Sequence, residues 1–223
     1  MGADSHVLDV GCGRAELLLR IVERHGCHGL GVDDNASGIE YARSQAARRL
    51  RSGSLELVVG AFDAGRVEPG SMDLLCCLGA EHAVNPDVGE ALGVCAQLVK
   101  PGGQLLFATG CWRRDPDAEY LEFLGMAKTD QADHAGNIAI AEAHGLNCLR
   151  EHEATLDEFA HYEDTYAANM LRYLAEHPDD PDAEAMHERI TTWREAYLNW
   201  GHDTLGFGLY LFEVPKGGAQ PSA

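Results

Sequence analysis

A chain of 223 residues with 45% apolar and 24% charged side chains is sized and composed for one globular domain, or one domain carrying an insertion. Its net charge of −19, from 17 basic and 36 acidic residues, repels phosphate backbones, and no Lys/Arg-rich run opposes it, so nucleic acid is excluded as an expected partner. No apolar run approaches the length of a membrane span, and seven cysteines without a C-x-x-C pair or a signal peptide read as reduced thiols of a cytoplasmic protein.

Strand-like and helical patterns alternate through the first two-thirds. "HVLDV" reads as a buried strand, and "AELLLRIVERHG" as a helix that stops at Gly26. "CHGLGVD" is a second strand, and "ASGIEYARSQAARRLRSG" a second helix ending at Gly53. "LELVVGAF" and "MDLLCCLG" are the third and fourth strands. "VGEALGVCAQLVKPGG" is a helix closed by Pro101-Gly102-Gly103, and "QLLFATG" is the fifth strand. Such alternation implies right-handed crossovers and a parallel sheet covered on both faces. The strands are continuous apolar runs, as burial on two faces demands.

After Gly110 the rhythm changes. "CWRRDPDAEYLEFLGM" reads as a loop leading into a short helix, "AGNIAIAEAHGL" as a helix, and "NCLREHEAT" as a sixth strand. A long helical stretch then runs from Leu156 to about Trp200, split by "HPDDPDAE", with a capping-box signature in Thr155 and Glu158 at its start. Phe159, Tyr162, Tyr166, Met170 and Tyr173 share one face of its first half. Met186, Ile190, Trp193, Tyr197 and Trp200 share one face of its second. "TLGFGLYLF" is a last strand and "VPKGGAQPSA" a disordered tail. The expected organisation is a core over 1–155, a helical insert over 156–203, the last core strand over 204–213 and the tail over 214–223.

The turn after the first strand carries Gly11-x-Gly13 but has Glu16 where a dinucleotide fingerprint has its third glycine, which counts against an NAD-dependent oxidoreductase. Asp9 stands two residues before Gly11, and Asp33 ends the second strand, where a carboxylate can accept both hydroxyls of a ribose. D-x-G-x-G in this place resembles motif I of the class I S-adenosylmethionine (SAM) methyltransferases. A pyrophosphate wants bare amides at a helix N-terminus. SAM carries a sulfonium and an ammonium instead, so a carboxylate near the turn suits it, and the two glycines let the backbone come close. The resemblance extends to "VVGAFDAGR", "MDLLCCLGAEHA", "LVKPGGQLLFATGCW" and "AIAEAHGLNCLRE", covering residues 6–153 and the final strand.

That resemblance implies a Rossmann-like doubly wound α/β fold with seven strands in the order 3-2-1-4-5-7-6, the last antiparallel, and a helical insert before the last strand. It implies SAM as cofactor, held by Asp9, Gly11, Cys12, Gly13, Asp33, Asp63, Ala64, Leu78 and Gly79. Asp33 could instead cap the following helix, with Asp34 as the ribose ligand, and Gly79 could simply be a turn. Methyl transfer is an in-line displacement at an already activated carbon, so alignment does most of the work. Any proton acceptor belongs after the fourth strand. His82 is the first candidate there, because imidazoles ordinarily titrate near neutrality, and Glu81 is the second, with holding a cationic substrate as its other role.

Trp112 offers a flat surface to an acceptor or else anchors its loop, and Arg113 and Arg114 are either solvated or paired with Asp115 and Asp117. No metal is expected, because "HEATLDEFAH" lacks H-E-x-x-H spacing. Only five residues precede His6, whereas this family usually carries covering helices there. The insert is therefore expected to act as a lid that walls the acceptor site, with Tyr162, Tyr166, Trp193, Tyr197 and Trp200 nearest the acceptor. The expected activity is methylation of an O or N atom of a small-molecule acceptor, without nucleic acid or membrane, and with a homodimer as the oligomer allowed for. The alternative is a catalytically incomplete SAM-binding subunit that needs a partner or missing N-terminal helices.

Overall fold

The structure, a computed structural model, describes residues 1–217. Seven strands form one mixed sheet: β1 (His6–Val10), β2 (His28–Asp33), β3 (Leu55–Val59), β4 (Met72–Leu78), β5 (Val99–Trp112), β6 (Asn147–Glu153) and β7 (Leu205–Glu213). Their order is β3-β2-β1-β4-β5-β7-β6, as the sequence led us to expect. β1 lies parallel to β2 and β4, β2 to β3, and β4 to β5. The strand order turns back between β1 and β4, where ligands of open α/β sheets bind beyond the carboxyl ends.

The chain divides into two compact units. Met1–Thr109, Asn137–His152 and the described residues from Leu209 onward form the first, and Gly110–Gly136 with Glu153–Gly208 form the second. In the first unit, alternate residues of each strand feed two cores. Leu8, Val10, Leu75, Cys77, Leu105 and Phe107 pack with Leu92 and Cys95 of α3 (Val88–Leu98) and Ala141 of α5 (His134–Ala143). Val7, Leu74 and Cys76 pack on the other face with Leu18 and Val22 of α1 (Glu16–His25) and with Ile39 and Ala42 of α2 (Ala36–Arg49). This two-sided burial explains why the strands read as unbroken apolar runs.

Several boundaries differ from the sequence reading. α2 ends at Arg49, not Gly53, because Leu50 is already extended and Arg51–Ser54 close a separate turn through the Ser54 amide and hydroxyl on the Arg51 carbonyl. β3 stops at Val59, and Gly60 turns away with φ 146°. α3 ends at Leu98, before the Pro-Gly-Gly, since a residue ahead of proline avoids helical geometry. Val99 instead pairs with Met72 and opens β5, which shifts register between Met72 and Leu74. β5 also runs on through Cys111 and Trp112, where a loop was expected, because the Trp112 amide donates to Ala132 O at 2.9 Å. Of the expected tail over 214–223, residues 218–223 lie outside the described residues. Val214 is held by paired bonds with Gly102 and Gly103.

The second unit contains α4 (Ala118–Leu124), α6 (Leu156–Glu176), α7 (Ala183–Ala196), a π-helical turn over Tyr197–Gly201 and α8 (His202–Thr204). It takes in residues 110–136 as well as the expected helical stretch. Thr155 and Glu158 form the expected reciprocal capping box. The buried line of α6 runs through Phe159, Glu163 and Leu174; of the stripe read as Phe159, Tyr162, Tyr166, Met170 and Tyr173, Phe159 is buried, whereas Tyr162, Tyr166 and Tyr173 lie on the exposed flank. Arg113 pairs with Glu153 at 3.0 Å, not with Asp115 or Asp117, and Arg114 donates to the Thr204 hydroxyl at 2.9 Å.

Candidate functional site

The first unit builds its candidate site where β1 and β2 end. Gly11 and Gly13 adopt φ of 67° and 55°, and Ala15 follows at 54° before α1 begins. A left-handed turn of this kind favours glycine and aims successive amides in one direction. The Gly11 and Cys12 amides donate to the Val32 carbonyl at 2.9 and 3.2 Å, tying the turn to β2. A Cβ at Gly11 would stand 2.2 Å from the Ala80 methyl, so the turn presses against the segment that follows β4. A side chain at Gly13 would meet no protein atom within 4 Å, which leaves that face of the turn open to a ligand.

Asp33 closes the cradle. One carboxylate oxygen accepts from the Gly13 amide at 2.6 Å, and the other accepts from the Asn35 amide at 2.8 Å. Each oxygen keeps a second lone pair, so the group is oriented by the protein and still able to accept a diol. The side chain of Asn35, not Asp33, caps α2 through the Gly38 amide, while Asp34 is exposed. Asp9 is 5% exposed, and burial followed by the nearby Asp33 charge pushes its carboxyl up to about 7. Burial, with Asp9 and Asp33 adding to it, pushes the Cys12 thiol up to about 12, so Cys12 is a neutral packing group and not a nucleophile.

Asp63 is exposed, caps the short 3-10 helix Ala64–Arg66 through the Gly65 amide at 3.0 Å, and pairs with Arg66 at 3.2 Å. Ala64 packs on the edge of the core. Leu78 ends β4, and Gly79 turns with φ 66° while its amide donates to the Ala108 carbonyl. Glu81 and His82 then occupy one 3-10 turn in different environments. His82 is exposed, whereas one Glu81 oxygen accepts from the buried Thr109 hydroxyl at 2.8 Å and the other is buried without a partner. Buried carboxylate oxygens normally find a donor, which sets this unpartnered oxygen apart.

In the second unit, Trp112 is 6% exposed, donates from its indole to Lys128 O at 3.0 Å and meets Tyr120 edge-on. Trp200 stacks on Tyr120 at 6.0 Å, and Tyr197 is buried with a hydroxyl that has no partner. Tyr162, Tyr166 and Trp193 come together with Glu163, Arg189 and Ile190 around a cavity of about 330 Å³. A second cavity of about 400 Å³ has Trp193 in its wall with Phe123, Ala185, Glu188, Arg189 and Thr192. Neither is lined by Trp112, Tyr197 or Trp200. Sequence reasoning missed Thr109 and Glu163. Glu163 had a readable signal, an acidic residue four positions from Phe159 on an otherwise apolar helix face. Among the described residues no helix is long and apolar enough to cross a membrane, and no three His, Cys, Asp or Glu side chains gather to hold a metal ion.

Residues 7–103 match the family model of a methyltransferase domain. The chain is 25% identical to the protein YjhP of Escherichia coli (strain K12) over 212 residues, covering 94% of this chain and 85% of that one. It is 35% identical over 127 residues to a ubiquinone biosynthesis O-methyltransferase of Sodalis glossinidius, covering 54% of this chain and only 46% of that protein. Among solved structures, a SAM-dependent methyltransferase of Thiobacillus denitrificans, crystallised with S-adenosyl-L-homocysteine, superposes with a TM-score of 0.82. It is 25% identical, with 96% of this chain and 86% of that one covered.

Proposed function

We propose that the chain is a class I SAM-dependent methyltransferase that methylates an O or N atom of a small-molecule acceptor, a reading supported by the methyltransferase-domain match over residues 7–103 and by the likeness to the Thiobacillus denitrificans structure. The observation that carries the proposal is the Asp33 carboxylate, bonded to the Gly13 and Asn35 amides beside a left-handed glycine turn that stands open. The cradle fits SAM by its chemistry: a diol acceptor in Asp33, close backbone approach at Gly11 and Gly13, and a buried carboxylate in Asp9 with no cation of its own among the described residues. SAM, when bound, supplies an electrophilic methyl group on a sulfonium.

The roles follow from the side chains. Asp33 takes the ribose hydroxyls. Asp9 offers negative charge to the ammonium end. Asp63 and Ala64 border the adenine, and Leu78 and Gly79 support the ligand from the end of β4. Glu81, held by Thr109 and with one oxygen unpaired, accepts the acceptor's proton or holds its donor group, and His82 is its exposed rival. Tyr162, Tyr166 and Trp193, which line one cavity of the second unit, offer aromatic faces to an acceptor in this proposal, while Trp112 and Tyr197 are buried in packing contacts. The O-methyltransferase relatives support a small-molecule acceptor, although the chain spans about half their length. Seven cysteines without a disulfide agree with a cytoplasmic setting.

Calorimetry against SAM, S-adenosylhomocysteine and NAD tests the cofactor. Micromolar binding of the first two, about −8 kcal/mol, with none of NAD is the expected result, and tighter binding of NAD overturns it. Mass-spectrometric detection of methyl transfer from labelled SAM across a metabolite library then identifies the acceptor.

A further inference from the structure

The cavity between α6 and α7 has an unusual wall. Three aromatic side chains, Tyr162, Tyr166 and Trp193, stand around one acid, Glu163, that is only 5% exposed. The Tyr162 and Tyr166 rings lie within 18° of parallel, 6.4 Å apart. Trp193 donates its indole N–H to Glu163 Oε2 at 2.9 Å, and no described residue bonds the other oxygen. Burial outweighs the Trp193 bond and the nearby Arg194 charge and holds the Glu163 carboxyl above its ordinary range. The adjoining cation, Arg194, pairs with Asp164 and also bears on Glu163, offsetting only part of the burial.

A buried carboxylate ringed by aromatic faces attracts one kind of ligand: a weakly hydrated positive charge with an apolar coat. From this wall we infer that the α6–α7 cavity is a binding site for a small organic ammonium ion, the class that includes amine methyl acceptors and their quaternary products. Neutral apolar ligands gain the ring contacts but not the carboxylate. Metal ions gain the carboxylate but would lose their water to rings that cannot replace it. The volume of about 330 Å³ suits a ligand of this size. Arg189 also borders the cavity, but it is exposed, where its charge is screened. It favours a hydroxyl or carboxylate at the far end of the ligand over a second cation. The chain's net charge of −19 draws cations toward the surface as a whole.

The test is binding of choline to the full chain without SAM, compared with its neutral isostere 3,3-dimethylbutan-1-ol, by titration calorimetry at fixed ionic strength. The expected result is choline bound at least tenfold more tightly than the isostere. Glu163→Gln keeps an oxygen for the Trp193 indole and should bring the two ligands to parity. Tyr166→Leu, at an exposed ring, should weaken choline several-fold without disturbing the fold, and carries the test if Glu163→Gln fails to fold. Equal affinity for the two ligands, no binding of either, or an unchanged choline preference in folded Glu163→Gln overturns the inference. Titration with S-adenosylhomocysteine in parallel separates the two readings: its binding without choline binding refutes the cage and leaves the methyltransferase reading standing.

Discussion

Asp9 is the most informative residue to perturb, because its chemistry couples folding, pH and ligand. Its carboxyl is raised from 3.8 to about 7 by burial and by Asp33. The folded state therefore holds the proton more tightly than the unfolded chain. Stability from this group is fully present below about pH 4 and is lost progressively as pH rises to about 7, beyond which the loss is constant. Three pKa units correspond to about 4 kcal/mol. Asp9→Asn abolishes the ionisation, so its stability relative to the parent should climb by roughly that amount between pH 4 and pH 8, read from urea unfolding midpoints. Ligand binding supplies the counterpart. A ligand ammonium beside Asp9 favours the ionised form, so S-adenosylhomocysteine should bind about tenfold more tightly at pH 8 than at pH 6, a one-unit deficit below the raised pKa. Asp9→Asn should flatten that profile. An affinity that does not change with pH in the parent, or that changes equally in the variant, refutes the assignment of Asp9 to the cationic end.

Asp33→Ala should weaken S-adenosylhomocysteine roughly 10- to 100-fold, from charge-assisted bonds worth about 1.5–3 kcal/mol, while Asp34→Ala leaves affinity unchanged; calorimetric loss in Asp34→Ala alone would move the ribose contact. Gly11→Ala places a methyl 2.2 Å from the Ala80 Cβ at a positive φ, which should cost about 2–5 kcal/mol in a urea melt and loosen the cofactor with it. Glu81→Gln should lower kcat about 10²–10⁴-fold with S-adenosylhomocysteine binding intact, and a larger loss in His82→Ala would transfer the proton-accepting role to the histidine.

The parts of the molecule that were legible in the sequence are those in which neighbouring residues determine geometry. The cradle is one: strand, D-x-G-x-G turn and helix are consecutive, and the positive φ values of Gly11 and Gly13 follow from which residues tolerate them. The strand order was legible only through resemblance, since no local signal tells β7 to enter between β5 and β6. Contacts between distant residues were not legible. Gly11 looks like a residue kept for its turn, yet its nearest constraint is Ala80, and Glu81 is fixed by Thr109, 28 positions away. The end of α3 was misplaced because Pro101 punctuates the helix from a distance: the rule acts on Lys100, and Val99 had already joined a ladder with Met72.

The late helices show the same division most clearly. Their periodicity gave their existence and the capping box, but amphipathic reading ranks residues by polarity and so passed over Glu163, the acid that the burial of α6 sets into an aromatic wall. Tyrosines are amphipathic, so an apolar stripe counted through Tyr162, Tyr166 and Tyr173 is rotated from the buried one by about one position. Chemistry concentrates where polarity and burial disagree. Asp9 in the cradle, Glu81 beside Thr109 and Glu163 beside Trp193 are three carboxylates placed where solvation alone would not put them. For Glu81 and Glu163 the protein supplies one donor each, and for Asp9 none among the described residues. A ligand with positive charge or hydrogen-bond donors completes all three, and that common requirement is why the pH profile of Asp9 and the cation preference of Glu163 probe one property of this acidic chain at two independent sites.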